Sequence, residues 1–346
     1  MTSENSAAVD DFDYDLPDEA IAQHPVEPRD SARLLVAGDG TTPVRHHTVA
    51  DLDSFVGQGD VVVLNDTRVL AARLLLTKAT GGRAEVLLLR PTPTQDRWEA
   101  LVRPGRRLPP GTVLHLDSEP LVTVGPPVAV DGGAGPDERG DGRRLVDVAP
   151  DAVERAGQVP LPPYITAPLA DPERYQTVFA RQPGSVAAPT AGLHLTDALL
   201  DRIRATGATI ERVELQVGLG TFRPITADRV ADHEMHAERY VVAADVWERI
   251  RAARRVVAVG TTVVRTLESA AATGRLDGET SLFIHRGFRW QVVDALLTNF
   301  HVPRSSLLVL VDAFVGDRWR SIYDEALVEG YRFLSFGDAM LLERSP

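Results

Sequence analysis

The residues with chemistry to offer fall into a few short clusters. His233-Glu234-Met235-His236-Ala237-Glu238 sets two histidines three apart beside carboxylates, a pattern suited to general acid–base work or to a metal. The spacing is not the His-Glu-x-x-His of metalloproteases, and the chain has no cysteine to complete a ligand set. Proton-transfer histidines are the preferred reading, with a solvated polar loop as the bland alternative. Gly184-Ser185-Val186-Ala187-Ala188-Pro189 leads into Thr190-Ala191-Gly192-Leu193-His194. Small residues there let a ligand approach the backbone, and His194 can serve as base or as structural donor. Thr298-Asn299-Phe300-His301 brings an amide, an aromatic ring and a histidine into one loop.

Two turns can cradle a ligand with backbone. Gly260-Thr261-Thr262 follows a strand and opens the helix that carries Arg265 and Glu268. Amides at such a helix start favour an anion, and a tight turn with a threonine cap is the competing reading. Val217-Gly218-Leu219-Gly220-Thr221-Phe222 is a glycine-rich turn without the third glycine of a dinucleotide fingerprint. Close approach to a ligand and a simple bulge explain it equally well. There is no Gly-x-Ser-x-Gly elbow and no phosphate-binding P-loop, so hydrolase and nucleotide-triphosphatase readings lack support.

These clusters need a scaffold. The β-branched run Asp60–Leu64 predicts a buried strand. Short strands are expected over Val69–Leu76, Ala84–Leu89, Trp98–Val102, Thr112–Leu116, Leu121–Val124 and Arg144–Val148. Six such strands separated by Gly/Pro turns suggest a small β-barrel or sandwich at 69–150. A Gly/Pro/Asp-rich loop is expected over Gly125–Gly142. From about Val159 strands and helices alternate. Helices are expected over Thr196–Thr206, Ala244–Ala253, Val263–Thr273 and Ile322–Glu329, and strands over Thr209–Gln216, Arg255–Val259 and Ser281–Ile284. That alternation predicts an α/β domain over 11–68 and 151–346, with 1–10 as a disordered tail.

Composition bounds the answer further. Of 346 residues 44% are hydrophobic and 25% charged, which excludes wholesale disorder. Lys+Arg 37 against Asp+Glu 49 gives a net charge of −12, so nucleic acid cannot be held by general basicity, although a local basic face can exist. Without cysteine there are no disulfides, thiolate metal sites or cysteine nucleophiles. The start lacks the features of a signal peptide, and the apolar stretches fall short of the ~20 residues of a membrane helix. The expectation is a cytoplasmic protein without membrane contact.

In order along the chain, these blocks resemble the S-adenosylmethionine:tRNA ribosyltransferase-isomerase (QueA) family. The resemblance runs through Phe12–Pro17, Arg29–Leu35, Asn65–Val69, Leu101–Gly105, Gly184–His194, Val217–Phe222, His233–Glu238, Gly260–Glu268, Val293–His301 and Tyr331–Leu341. It implies a mixed-sheet α/β domain with an inserted six-stranded β-barrel. It also implies that the ribosyl part of S-adenosyl-L-methionine, a co-substrate, is transferred and isomerised onto 7-aminomethyl-7-deazaguanine in tRNA. Epoxyqueuosine forms, and adenine and methionine leave, with no metal. The alternatives are a small-molecule acceptor or a binding protein that keeps only the fold; monomer and homodimer both remain open.

For that chemistry His194, His233, His236 and His301 are the proton-transfer candidates, with Glu238 as orienter and Asp66 as polar partner. Gly192, Gly218, Gly220, Thr221, Gly260, Thr261 and Thr262 would cradle the nucleoside and methionyl groups, with Thr190, Gln216 and Asn299 beside them. Arg68, Arg103 and Arg265 would face phosphate or carboxylate, or form structural ion pairs. The sequence departs from the family pattern at Gln216, where histidine is usual. It also departs at Arg286, where proline is usual, and at Leu195, Trp290 and Asp312.

Overall fold

The computed structural model describes residues 7–128, 142–218 and 224–345. The chain divides into two compact units, Met1–Arg68 with Pro162–Pro346, and Val69–Leu161. The larger unit begins with β1 (Arg33–Ala37), β2 (Arg45–Thr48) and β3 (Asp60–Asn65).

The smaller unit follows with β4 (Arg73–Lys78), β5 (Arg83–Pro91), β6 (Arg97–Arg103), β7 (Val113–Leu116), β8 (Glu119–Pro127) and β9 (Arg143–Val148). They pair antiparallel in the order β4-β5-β6-β9-β8-β7, and β7 returns to β4 through Thr77 opposite His115. Closure removes the exposed edges an open sheet would present. Alternate side chains such as Leu74, Leu76, Val86, Leu88, Ala100, Val102, Val122 and Val124 are buried, the period-two pattern of a filled barrel. Ala152–Ala156 and the pair Gly157–Gln158 stay with this unit, the latter bonded along Leu74 and Arg73.

The larger unit resumes with α1 (Asp197–Ala205), β10 (Thr209–Leu215), β11 (Glu238–Val241), α2 (Ala244–Ala252), β12 (Arg255–Val259) and α3 (Thr261–Thr273). It ends with β13 (Asp277–Thr280), β14 (Ala295–Asn299), α4 (Ser306–Val315), α5 (Arg318–Val328) and β15 (Ala339–Glu343). Its nine-stranded sheet runs β13-β11-β10-β3-β12-β14-β15-β1-β2. The four central strands, β10, β3, β12 and β14, are mutually parallel. Both faces are covered, which is why β3 is buried at every position. Val61 and Val63 enter the core with Val263, Leu267, Leu308 and Trp319. Val62 and Leu64 enter the opposite core with Leu199, Leu200 and Ile203 of α1. The fold is the expected mixed-sheet α/β class with a six-stranded barrel inserted in the chain. Among the described residues no helix is long and apolar enough to cross a membrane.

Four local expectations are corrected. Val9 is fully buried and its amide bonds the Asp228 carbonyl, so the tail does not extend to residue 10; residues 1–6 lie outside the described set. Gly125–Pro127 continue β8, because the Arg143 strand pairs there; of the loop expected to follow, 129–141 lie outside the described residues. Leu16-Pro17-Asp18-Glu19 reads as a helix start, with proline and acids in its first turn, but only a single turn forms there, at Asp18–Ala20. Ser281–Ile284 forms no ladder. The strand is the polar Asp277–Thr280 just before it, held by backbone pairing to β11.

Candidate active site

Parallel strands end on one side of a sheet, and ligands of open α/β sheets bind along that edge. Here β3 ends at Asn65-Asp66, β10 at Gln216–Gly218, β12 at Gly260 and β14 at Asn299. The topology therefore gathers motifs that lie far apart in the chain.

At the β14 end, Thr190 Oγ1 donates to Asn299 Oδ1 at 2.9 Å. That fixes the amide, whose nitrogen has only hydrogens to offer and reaches His194 Nε2 at 3.0 Å. His194 Nε2 is therefore an acceptor, and the neutral ring carries its proton on Nδ1. Burial, then the positive charges of Arg332, Arg174 and Arg29, push the His194 pKa down to about 4. The ring lines a small cleft with Arg29, Arg174, Ser335 and Phe336. Arg29 donates to the Gln176, Leu193 and Glu173 carbonyls, so it anchors the turn that presents His194. Gly192 admits this turn, since a Cβ there would sit 2.8 Å from the Phe179 ring.

At the β12 end, Gly260 adopts φ +92°, which glycine tolerates and other residues resist, and α3 starts there with no side-chain cap. Thr261, Thr262 and Arg265 follow, all buried. Arg265 pairs with the buried carboxylate of Glu238 and also donates to the Leu282 and Thr280 carbonyls. Glu238 accepts the Gly218 amide at 2.8 Å. Glu238 and Arg265 thus tie Gly218 to α3; they form an internal ion pair, the structural alternative for Arg265. His233 is half-buried, edge-on to Phe283 at 5.1 Å, and burial followed by the neighbouring His236 lowers its pKa. His236 is exposed on the same segment. Among the described residues no three His, Asp or Glu gather to hold a metal.

Other candidates stand apart from these two clusters. His301 shares a 3.0 Å hydrogen bond with Thr298, and burial takes its pKa to about 3. Its backbone amide donates to Tyr323 and its carbonyl accepts from Tyr14, so it ties the N-terminal segment to α5. Asp66 is buried, and desolvation, then Glu214, raises its pKa. Arg68 pairs with Glu173 at 2.5 Å, and Arg103 is exposed at the end of β6 in the smaller unit. Gln216 lies against Gly184, where a Cβ would meet its amide at 2.9 Å. Gly220 and Thr221 lie outside the described residues. Arg286 and Asp312, both departures from the family pattern, pair with each other.

Sequence reasoning passed over Ser306, Met235 and Phe283, which line a cavity with Thr261, Thr262 and Arg265. The available signal was Ser305-Ser306 ahead of the apolar run, a helix start whose Ser305 hydroxyl accepts the Leu308 amide. Arg29 and Arg174 were also passed over as neighbours of His194.

The sheet defines an α/β protein whose central parallel strands end along one edge, the place where open α/β sheets bind ligands. A family model described as queuosine biosynthesis protein matches residues 9–342. The chain belongs to that family. It is 50% identical over 338 residues to the S-adenosylmethionine:tRNA ribosyltransferase-isomerase of Rubrobacter xylanophilus, covering 96% of this chain and 97% of that one. The protein of the same name from Thermus thermophilus is 51% identical over 344 residues, covering 96% and 98%. The crystal structure of S-adenosylmethionine tRNA ribosyltransferase from Thermotoga maritima is similar at a TM-score of 0.54 and 35% identity, covering 96% and 99%.

Proposed function

We propose that this chain is an S-adenosylmethionine:tRNA ribosyltransferase-isomerase. It transfers and isomerises the ribosyl part of S-adenosylmethionine onto 7-aminomethyl-7-deazaguanine in tRNA, forms epoxyqueuosine, and releases adenine and methionine in the cytoplasm. The observation that carries this reading is the end-to-end likeness to relatives bearing that name.

The chemistry asks for two proton movements. The sulfonium acidifies the adjacent C5′ protons, so a base must take one, and adenine leaves well only if a ring nitrogen is protonated. His194 suits neither step in its observed state, because Asn299 occupies its lone pair and burial among arginines keeps it uncharged. Its Nδ1–H is a hydrogen-bond donor for the substrate. Partial burial beside His236 keeps His233 in its basic, neutral form near pH 7; we assign it the proton abstraction.

The test is adenine release from S-adenosylmethionine, with tRNA bearing the aminomethyl-deazaguanine, with unmodified tRNA, and with the free base. Release that requires the modified tRNA is expected. Release driven by the free base alone, or none in any arm, overturns the tRNA acceptor.

A further inference from the structure

Two helices begin at one cavity. The first turn of α3 contributes Thr261 and Thr262, and the first turn of α4 contributes Ser306 and Leu307. First-turn amides have no partner inside their own helix, and the dipoles of both helices place positive potential at these ends. Thr262 lines the cavity with 8% exposure, and its Oγ1 has no hydrogen-bond partner among the described residues. A buried hydroxyl without a partner is costly in a protein, so Thr262 asks for a partner from the cavity, an ordered water or a ligand group. The charged groups in the wall, Arg265 and Glu238, pair with each other and leave the helix ends to set the sign. The cavity is about 20 Å³. A water needs roughly 10–15 Å³ on that measure, so a small head group fits and a nucleobase does not. Met235 and Phe283 add apolar wall.

We propose that this cavity, between the first turns of α3 and α4, binds the α-carboxylate of S-adenosylmethionine, with Thr262 and Ser306 as hydroxyl donors. The proposal rests on the ribosyl-transfer reading. It assigns Ser306 a role the sequence did not suggest, and it places the apolar wall along the methionyl chain. A phosphate of the tRNA is the other anion with matching chemistry, and the experiment separates the two.

The test measures binding of S-adenosylmethionine and of its decarboxylated counterpart to the full chain, as wild type, Thr262→Val and Ser306→Ala. Wild type is expected to prefer the carboxylate form by about tenfold or more, at least the size of one charge-assisted hydrogen bond. Each variant should lose most of that preference. Thr262→Val replaces an unpartnered hydroxyl by a methyl group of the same shape, so the unliganded protein should melt no lower than wild type. Weaker binding without lower stability separates a ligand contact from a structural one. Ser306→Ala gives a second reading if the first variant folds poorly. Variants that keep the preference overturn the assignment, as does an unchanged preference with a raised KM for tRNA, which marks a phosphate site. A wild-type chain that binds neither compound overturns the ribosyl-transfer reading as well.

Discussion

A side-chain amide held at its oxygen has only hydrogens to give at its other end. Thr190 holds Asn299 in that way, and Asn299 in turn fixes the His194 tautomer. Asn299→Asp keeps the shape and the Thr190 bond but replaces a donor by an acceptor and adds a negative charge. The His194 pKa should therefore rise from about 4, because an adjacent carboxylate favours the imidazolium. NMR titration of the histidine rings reads this directly. An unmoved His194 titration would show that Asn299 does not set the state of the ring. The four histidines looked equivalent in sequence, since residue type says nothing about burial or about which ring nitrogen is engaged. Structure separates them: His194 is locked and neutral, His301 is built into the core, and His233 and His236 lie on a segment open to solvent.

Among the secondary elements, two of the positions that depart from the family pattern, Arg286 and Asp312, compensate each other. Arg286 donates to Asp312 on α4 and, at 2.7 Å, to Asp317 just before α5. Asp312 is 3% exposed, and desolvation outweighs Arg286 in raising its pKa. Removing Arg286 strands a buried carboxylate, whereas replacing Asp312 as well by a small neutral residue removes the stranded charge. Since Arg286 is partly exposed, Arg286→Ala is expected to cost about 2 kcal/mol. Adding Asp312→Ser should recover at least half of that. Denaturant melts of the two single variants and the double variant form the cycle, and additive losses would show the pair to be uncoupled. Trp290 joins the same region, with its indole donating to the Ala313 carbonyl and its ring against Phe314 at 4.9 Å. These substitutions are accounted for by packing, and they carry no argument for altered chemistry.

At the scale of the whole molecule, buried neutral histidines couple folding to pH. Folded, His194 and His301 stay uncharged down to about pH 4 and about pH 3; unfolded, each takes a proton near pH 6.5. Between those values the unfolded chain binds more protons, so stability falls as pH drops below about 6.5 and this contribution levels off near pH 3. Each ring contributes a slope of up to about 1.4 kcal/mol per pH unit inside its window. Unfolding free energies compared at about pH 7 and pH 5 should fall for the wild type. They should fall less for His301→Gln, which cannot take up a proton. Equal slopes in the two proteins would show that His301 is not protonated on unfolding in this range.

The sequence by itself determined the class of the fold, the six barrel strands, the capped helix after Thr196 and the family. Those follow from local periodicity, turn residues and blocks of recognisable order, all of which are short-range. Of the segments it marked for a site, those carrying Thr190, His194, Asn299 and Gly260–Thr262 lie at strand ends. Strands β1, β14 and β15 lay outside the periodic signals, and β13, a polar run of Asp277–Thr280, carries no alternating apolar pattern. Only the tertiary structure decided which groups stand together. Hydrogen-bond partners, burial and the meeting of α3 with α4 join residues tens to hundreds of positions apart. Parallel strands reach that arrangement only through long crossovers, and a local pattern of residue types does not encode where a crossover lands.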